Sequence, residues 1–212
     1  MEIIRGKMSL EMDASALAQS MLGYRRTIID LGTGDGRFVR HMAQAYPAAF
    51  VIGVDACREN LRATSRDNRA NALFVIANAQ ALPREIYGLA GHVTINFPWG
   101  SLLEGLLAGQ PGLMHGLAAI SLPGALLDIR LNAAALAEAG VSFEKGTALV
   151  RGSLLANGFG LRVPTVLDTQ TLRACPTTWA RRLAFGRDPR SVVLSGARMR
   201  SGPVGSPRGV SH

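Results

Sequence analysis

Short apolar runs alternate with amphipathic segments along most of the chain, a pattern typical of strands and helices that follow one another in a parallel sheet. The apolar runs predict seven strands, at residues 27–31, 50–55, 73–77, 92–97, 125–131, 161–167 and 191–198. The amphipathic segments predict helices at residues 13–22, 37–46, 58–70 and 133–139, and residues 101–122 predict a long helical region that is partly broken by glycines. Residues 2–11 predict a hairpin, and residues 141–157 show no clear period, with Gly146 and Gly152 as expected breaks.

These elements predict an α/β fold with a doubly wound, seven-stranded, mostly parallel sheet and a small N-terminal hairpin. A chain of 212 residues with 48% hydrophobic content can bury the core of one domain. We expect a single domain at residues 1–198. Residues 199–212 alternate Ser, Gly, Pro and Arg without an apolar period, which predicts a disordered basic tail.

The first core strand leads into the run Asp30-Leu31-Gly32-Thr33-Gly34-Asp35-Gly36. Its glycines permit positive φ angles and let a ligand approach the bare backbone. The spacing Gly-x-Gly-x-Gly differs from the dinucleotide pattern Gly-x-Gly-x-x-Gly, which aims a helix N-terminus at a pyrophosphate and is typical of dehydrogenases. S-adenosylmethionine has no phosphate and needs an acid for its amino group, which Asp30 or Asp35 can supply. The run therefore favours S-adenosylmethionine as the cofactor.

A second acid supports the same cofactor. Asp55 ends the next predicted strand, 19 residues after Gly36, where a carboxylate can accept hydrogen bonds from both ribose hydroxyls. The alternative is a cluster of turn glycines in an ordinary α/β protein, but that alternative does not account for the acid.

The net charge of +8 is concentrated near the C-terminus. Residues 174–212 contain one acid, Asp188, and seven arginines: Arg181, Arg182, Arg187, Arg190, Arg198, Arg200 and Arg208. The guanidinium fork suits phosphate contacts, so a nucleic acid is the expected partner, although coding bias can explain the preference for arginine over lysine. A stripe of Arg62, Arg66 and Arg69 would share one face of the predicted helix, where a solvated surface is the usual explanation.

The two tryptophans of the chain follow predicted site loops. Trp99 comes directly after the fourth strand, at the sheet edge where ligands of α/β folds bind. Trp179 lies in the basic region, in a segment that we predict to be a loop. Trp99 alone could be a buried core residue, but together the two tryptophans offer two plates on which a flipped base can stack.

Three motifs together resemble the Kam-type aminoglycoside-resistance methyltransferases of 16S ribosomal RNA. They are the glycine run, Phe97-Pro98-Trp99-Gly100-Ser101-Leu102-Leu103 and Thr178-Trp179-Ala180-Arg181-Arg182-Leu183. The resemblance implies methylation of N1 of adenosine 1408 in helix 44, on the assembled 30S subunit, with resistance to kanamycin- and apramycin-type drugs. We expect a cytoplasmic monomer. We expect no metal site, because Cys57 and Cys175 lack ligand spacing. We also expect no membrane-spanning segment, because no apolar stretch is long enough to span a bilayer.

The resemblance also assigns roles to individual residues. The cofactor would contact Asp30, Gly32, Thr33, Gly34, Asp35, Gly36, Asp55, Ala79, Gln80 and Phe97. The flipped adenosine would lie between Trp99 and Trp179, with Thr178 beside it. The RNA would contact Arg182 and Arg187, and also Arg181, Arg190 and Arg66. The family commonly has Glu at the position of Gln80, and an arginine of one relative is replaced by Pro189 here. The segment 132–152 is shorter than in relatives.

Three rival functions remain. Asn96-Phe97-Pro98-Trp99 is one residue away from the Asn-Pro-Pro-aromatic motif of exocyclic-amine methyltransferases, and Phe97 counts against that motif. An inactive RNA-binding protein of the same fold would not need the intact acids and glycines. A small-molecule methyltransferase would not need the arginine-rich end.

Overall fold

The computed structural model describes residues 1–67, 69–186 and 188–200, and within these ranges ten strands form one mixed sheet. The strands are β1 (Glu2–Arg5), β2 (Met8–Glu11), β3 (Arg26–Leu31), β4 (Ala49–Asp55), β5 (Ala72–Ile76), β6 (Ala90–Asn96), β7 (Ser121–Asn132), β8 (Phe159–Leu161), β9 (Thr165–Leu167) and β10 (Ser191–Arg198). The helices are α1 (Ala14–Ser20), α2 (Arg37–Ala45), α3 (Arg58–Leu61), α4 (Gly100–Ala108), α5 (Pro111–Ile120), α6 (Ala133–Glu138), α7 (Phe143–Ala156), α8 (Thr169–Ala174) and α9 (Thr178–Gly186). Short 3-10 turns cover Thr64–Arg66 and Arg84–Ile86.

The strand order is β2-β1-β5-β4-β3-β6-β7-β10-β8, with β9 also paired to β10. The five central strands, from β5 to β7, are parallel, and the pairs outside them are antiparallel. The chain runs outward from β3 to β5 and then returns to the other side of β3 as β6. This reversal between β3 and β6 is the topological switch point, where open α/β sheets bind their ligands. The predicted α/β fold is confirmed.

Apolar side chains cover both faces of the central strands. One face packs Ile28 and Val51 against Val39 of α2 and Leu61 of α3. The other and larger face packs Ile29 of β3 beneath helices α1, α4, α5 and α7. No helix in the described ranges is long and apolar enough to cross a membrane.

The strand count differs from the predicted seven at both edges of the sheet. The predicted hairpin is present and joins the sheet edge through the pairing of Ile3 with Val75. The predicted strand at 161–167 is wrong, because it is divided into β8 and β9, which pair with successive parts of β10. Three residues lie between Leu161 and Thr165, whereas two lie between their β10 partners, so the edge carries an extra residue. Pro164, which has no N–H to donate, lies in this irregular stretch.

The predicted helix at 58–70 is also wrong. Helix α3 ends at Leu61, and a 3-10 turn follows. Two buried polar side chains explain the break: Thr64 donates its hydroxyl to the carbonyl of Asp35, and the Ser65 hydroxyl accepts the Gly6 N–H at 3.0 Å. A continuous helix would not aim both at these loops, so Arg62, Arg66 and Arg69 do not form a helical stripe.

Residues 143–156 form one unbroken helix, α7, so the expected breaks at Gly146 and Gly152 are wrong. Gly146 instead allows α7 to approach α6 closely. A Cβ at this position would lie 2.5 Å from Leu136 Cδ2. The glycine therefore serves helix packing rather than helix termination. The predicted domain boundary at residue 198 stays a prediction, and the tail beyond residue 200 lies outside the described residues.

Candidate active site

A cavity of about 540 Å³ opens at the carboxyl ends of the central strands. It is lined by residues from five separate parts of the chain. Of the residues that the sequence nominated, the lining includes Asp30, Gly32, Thr33, Gly34, Asp35, Asp55, Ala79, Phe97, Trp99, Thr178, Trp179 and Arg182. Their convergence follows from the topology, since the carboxyl ends of parallel strands meet at one edge of the sheet.

The loop between β3 and α2 uses its glycines in different ways. Gly32, Gly34 and Gly36 all have positive φ angles, of 67°, 57° and 70°. At Gly32 the positive φ favours glycine, and a Cβ would also lie 2.5 Å from Leu102 Cδ2. Gly36 is not among the cavity-lining residues, because it begins α2 and its Cβ would lie 2.6 Å from the Phe74 ring. In the structure this glycine allows close packing on Phe74, and its predicted contact with the cofactor stays a prediction.

Asp30 is the buried acid of the cavity. Its Oδ1 accepts hydrogen bonds from Thr94 Oγ1 at 2.7 Å and from Asn96 Nδ2 at 2.8 Å, and the residue is 1% exposed. Burial raises the pKa of this carboxyl from 3.8 to about 6, and the donated hydrogen bonds only partly oppose that rise. Arg130 in turn donates to Asn96 Oδ1 at 2.7 Å. An ionised carboxylate in this setting favours a cationic ligand group.

Asp55 is held by the backbone around it. One carboxylate oxygen accepts the Gly34 N–H at 2.8 Å, and the other accepts the Cys57 N–H at 2.8 Å. Each oxygen keeps a further lone pair for a ligand hydroxyl. Thr33, whose side-chain hydrogen bond to Asp30 helps to lower the pKa of that carboxyl, lines the same cavity. These polar atoms fit a ligand that carries an amino group and a ribose, as S-adenosylmethionine does.

Gln80 is not among the cavity-lining residues, and its predicted cofactor contact stays a prediction. Its Nε2 donates to the Ser101 carbonyl at 3.3 Å, and its Oε1 accepts from Gln110 Nε2 at 3.0 Å. The amide therefore links the loop after β5 to helices α4 and α5. Ala79 and the two residues before it line the cavity in its place.

The two tryptophans stack directly on each other. Their ring centroids are 5.2 Å apart, and the ring planes differ by 12°. Trp99 caps α4, and its Nε1 donates to Glu138 Oε1 at 3.0 Å. Trp179 lies in the first turn of α9, so the predicted loop is wrong. A base between the two rings requires about 7 Å between ring planes, twice the contact distance of about 3.5 Å, so the indoles must separate to admit one.

The turn before Trp99 has an unusual backbone. Phe97 has a φ of 54° and is the one non-glycine residue in the described ranges with a positive φ. Its side chain is buried against Leu172 and Leu183, which fixes α8 and α9 beside the strand end. The left-handed turn directs the chain into α4, with Trp99 at the cavity.

Thr178 joins the two sides of the cavity. Its hydroxyl donates to Asp35 Oδ2 at 2.5 Å, and Arg37 Nε lies 3.2 Å from the same oxygen. The carboxylate of Asp35 is therefore engaged by these two partners, which leaves Asp30 as the acid better placed for a cofactor amino group.

The predicted RNA-binding arginines lie in different settings. Arg182 lines the cavity, with its guanidinium carbon 5.4 Å from the centroid of the Trp179 ring. Arg190 is paired with Asp188, with contacts of 2.5 and 3.0 Å. Arg66 is exposed beside the hairpin turn at Gly6, away from the cavity. Arg187 lies outside the described residues, so its predicted contact remains a prediction.

Sequence reasoning missed the partners that hold the site together. Glu138, Arg130 and Thr94 do not belong to any of the motifs, and Glu138 is 39 residues away from Trp99. The one sequence signal that could have placed Glu138 near the site was its position at the end of a predicted helix that follows a central strand. Within the described ranges, no group of three or more His, Cys, Asp or Glu residues could hold a metal ion.

Comparison with known proteins agrees with this geometry. The family model NpmA, described as 16S rRNA (adenine(1408)-N(1))-methyltransferase, matches residues 2–198. A 16S rRNA (adenine(1408)-N(1))-methyltransferase of Streptoalloteichus hindustanus is 31% identical over 209 residues, which cover 91% of this chain and 96% of that protein.

Solved structures give the same result. The antibiotic-resistance methyltransferase Kmr is 34% identical, with a TM-score of 0.77, over 94% of this chain and 99% of that chain. The 16S rRNA methyltransferase KamB is 27% identical, with a TM-score of 0.85, over 94% of this chain and 100% of that chain. The resemblance that the three motifs carry is confirmed, and the chain belongs to the NpmA family of 16S rRNA (adenine(1408)-N(1))-methyltransferases.

Proposed function

We propose that this protein transfers the methyl group of S-adenosylmethionine to N1 of adenosine 1408 of 16S rRNA, on the 30S subunit, and thereby confers aminoglycoside resistance. Family membership supports the reaction, and one observation supports the site: two stacked indoles stand at the mouth of a cavity that contains two well-held carboxylates. We take the enzyme to act as a cytoplasmic monomer without a metal ion, since the proposed substrate is cytoplasmic and the reaction needs no Lewis acid.

The cofactor half of the proposal rests on Asp30 and Asp55. Asp30 is placed to bind the amino group, because a buried carboxylate gains most from a cationic partner. Asp55 is placed to accept the ribose hydroxyls, because the Gly34 and Cys57 amides already fix its orientation. Ala79 lines the same cavity, and its small side chain leaves room for a planar adenine ring. When bound, S-adenosylmethionine supplies an electrophilic methyl group on a sulfonium sulfur.

The substrate half of the proposal rests on the indole pair. Trp99 and Trp179 bind the flipped adenine between their faces and orient N1 towards the cavity. Neutral adenine N1 carries a lone pair and no hydrogen, so no side chain has to act as a general base. As the product forms, the purine becomes cationic, and the faces of both indoles stabilise that charge. Alignment supplies most of the rate acceleration.

The contacts of Asn96 argue against the exocyclic-amine alternative. In that alternative this side chain would bind the adenine amino group. Here Asn96 donates to Asp30 and accepts from Arg130, so both ends of its amide are used inside the protein. Its role in this chain is to position Asp30.

The test is to incubate the protein with radiolabelled S-adenosylmethionine and 30S subunits, and to map the modified nucleotide by reverse transcription. We expect a stop at adenosine 1408, because N1 methylation blocks base pairing. Trp99→Ala should abolish the stop and leave cofactor binding intact, whereas Trp99→Phe should retain part of it. Labelling without a stop would contradict the N1 target, and free 16S RNA as a parallel substrate tests the requirement for the 30S subunit.

A further inference from the structure

A second cavity, of about 210 Å³, adjoins the candidate active site. One wall is helix α2, and the other is the segment that joins α8 to α9 together with the first turn of α9. We call it the α2 groove, and its lining residues are Arg37, Arg40, His41, Gln44, Pro176, Thr177 and Arg181. Three of these seven residues are arginines, and none is acidic. Thr177 lines both cavities, so the groove is adjacent to the site where the indoles stack.

The groove presents the polar face of α2. Its helical lining residues occupy positions i, i+3, i+4 and i+7 and are all exposed, while Phe38, Val39 and Ala43 on the other side are buried. A polar helix face alone is ordinarily just solvated. This face differs because Arg181, from a distant part of the chain, lies across the groove from it. The fold thus concentrates positive charge in a concave site.

Most of this charge is not neutralised by the protein. Arg37 is 3.2 Å from Asp35, which is engaged with Thr178 as well. Arg40 and Arg181 form no ion pair with any carboxylate in the described ranges. Two guanidinium groups held near each other without an acid repel, and an anion between them would relieve that repulsion.

We propose that the α2 groove binds a backbone phosphate of the RNA substrate, with Arg40 and Arg181 as its charged contacts. The proposal rests on the proposed function and extends its RNA contact surface to α2. Two features favour an RNA phosphate. Arginine suits bidentate phosphate contact, and Thr177 of the groove is only two residues before Trp179, so a strand whose base lies between the indoles passes nearby. Phosphate contacts of this kind set register and orientation rather than sequence preference.

Arg40→Ala tests the groove, because Arg40 is exposed and lies outside the cofactor cavity. Arg84→Ala is the matched control: it removes the same charge from an exposed 3-10 turn that is not among the lining residues of either cavity. The measurements are the Kd for 30S subunits at several salt concentrations, kcat and KM for methylation, and the Kd for S-adenosylmethionine.

We expect Arg40→Ala to weaken 30S binding by about fivefold to tenfold and to reduce the slope of log K against log salt by about one. KM for 30S should rise, with kcat and cofactor affinity unchanged. Arg40→Glu should have a larger effect than Arg40→Ala. If Arg40→Ala and Arg84→Ala had equal affinities for 30S subunits and equal salt slopes, the proposal that the α2 groove binds a phosphate would be overturned. If the wild-type protein does not methylate 30S subunits, the proposed function fails instead, and the same pair of variants with free 16S RNA decides whether the groove binds phosphate.

Discussion

The two walls of the candidate active site are held in place by different means. On the cofactor wall, Asp30 and Asp55 end central parallel strands, and hydrogen bonds from neighbouring strands and loops orient both carboxylates. The RNA wall consists of α8 and α9, and it rests on a small separate cluster. Among the described residues, the buried members of that cluster are Phe97, Leu172, Ala180 and Leu183.

This difference suggests which wall can move. The cofactor wall belongs to the main core, so its displacement would disturb the whole sheet. The RNA wall buries little apolar surface, and elements of that kind open at a lower free-energy cost than the core does. Because the stacked indoles must separate to admit a base, we expect the RNA wall, which carries Trp179, to provide the movement.

Asp30→Asn should show the difference between the two walls most strongly, because it changes only the cofactor wall. Asparagine keeps an oxygen that can accept from Thr94 and Asn96 but removes the charge, so S-adenosylmethionine affinity should fall about 100-fold, which corresponds to a charged hydrogen bond of about 3 kcal/mol. The free protein should become more stable at neutral pH by up to about 3 kcal/mol, because burial raises the pKa of Asp30 from 3.8 to about 6 and so disfavours its ionised form. Calorimetry and urea unfolding measure the two effects, and wild-type cofactor affinity in the variant would contradict the assignment.

The same carboxyl gives a pH dependence. Cofactor affinity of the wild type should decline as pH falls below about 6, because the protonated carboxyl no longer attracts an amino group. The stability gap between Asp30→Asn and the wild type should close as pH falls from 6 to 3.8, since the folded wild type binds the proton first. If the stability difference between Asp30→Asn and the wild type did not change with pH, the ionisation of Asp30 could not be its cause.

Trp179→Ala tests the RNA wall. Loss of one base stack, worth about 1 to 3 kcal/mol, should lower kcat/KM for 30S methylation by about fivefold to 150-fold. Cofactor affinity should not change. Phe185→Ala is the control, since Phe185 lies on the same helix, is 70% exposed and packs against Arg173 rather than at the cavity. If Trp179→Ala and Phe185→Ala lowered kcat/KM equally, truncation of any aromatic side chain of α9 would have the same effect, and the loss could not be assigned to base stacking on Trp179.

Leu172→Ala tests whether the RNA wall opens separately. Removal of this fully buried side chain should destabilise the small cluster by about 2 to 4 kcal/mol. We expect faster hydrogen exchange in α8 and α9, weaker RNA methylation, and little change in cofactor affinity. Leu106→Ala, in the main core, should instead lower protection across the sheet. A uniform loss of protection in Leu172→Ala would show that the two walls unfold as one unit.

Arg182→Ala should have a smaller effect than the variants above. Its guanidinium lies over the Trp179 ring and at the cavity mouth, so its loss should weaken 30S binding by about threefold to fivefold, through one phosphate contact and one cation–π contact. Arg190→Ala should weaken binding less, because Asp188 already pairs with Arg190. Filter binding at two salt concentrations compares the two variants. If Arg190→Ala weakened binding more than Arg182→Ala, the ion pair between Arg190 and Asp188 would have to open when RNA binds.

The RNA wall was only partly predictable. The sequence indicated that Trp179, Arg181 and Arg182 belong together, but it placed them in a loop, whereas they lie in helix α9. The helix forms because Ala180 and Leu183 pack against Phe97, which is far away in the chain. The error at residues 58–70 has a similar origin, since buried hydroxyls at Thr64 and Ser65 bond to distant loops and interrupt a locally plausible helix.

The sequence by itself determined the α/β order, the glycine loop and the acids Asp30 and Asp55. Those features depend on local periodicity and on the rule that parallel strands present their carboxyl ends at one edge. Only the tertiary structure decided that the two indoles touch, that Glu138 holds Trp99, that Gln80 faces two helices, and that α2 and Arg181 form a groove. The physical reason is that each of these depends on which distant side chains share the same buried or concave space, and neighbours along the chain do not specify that.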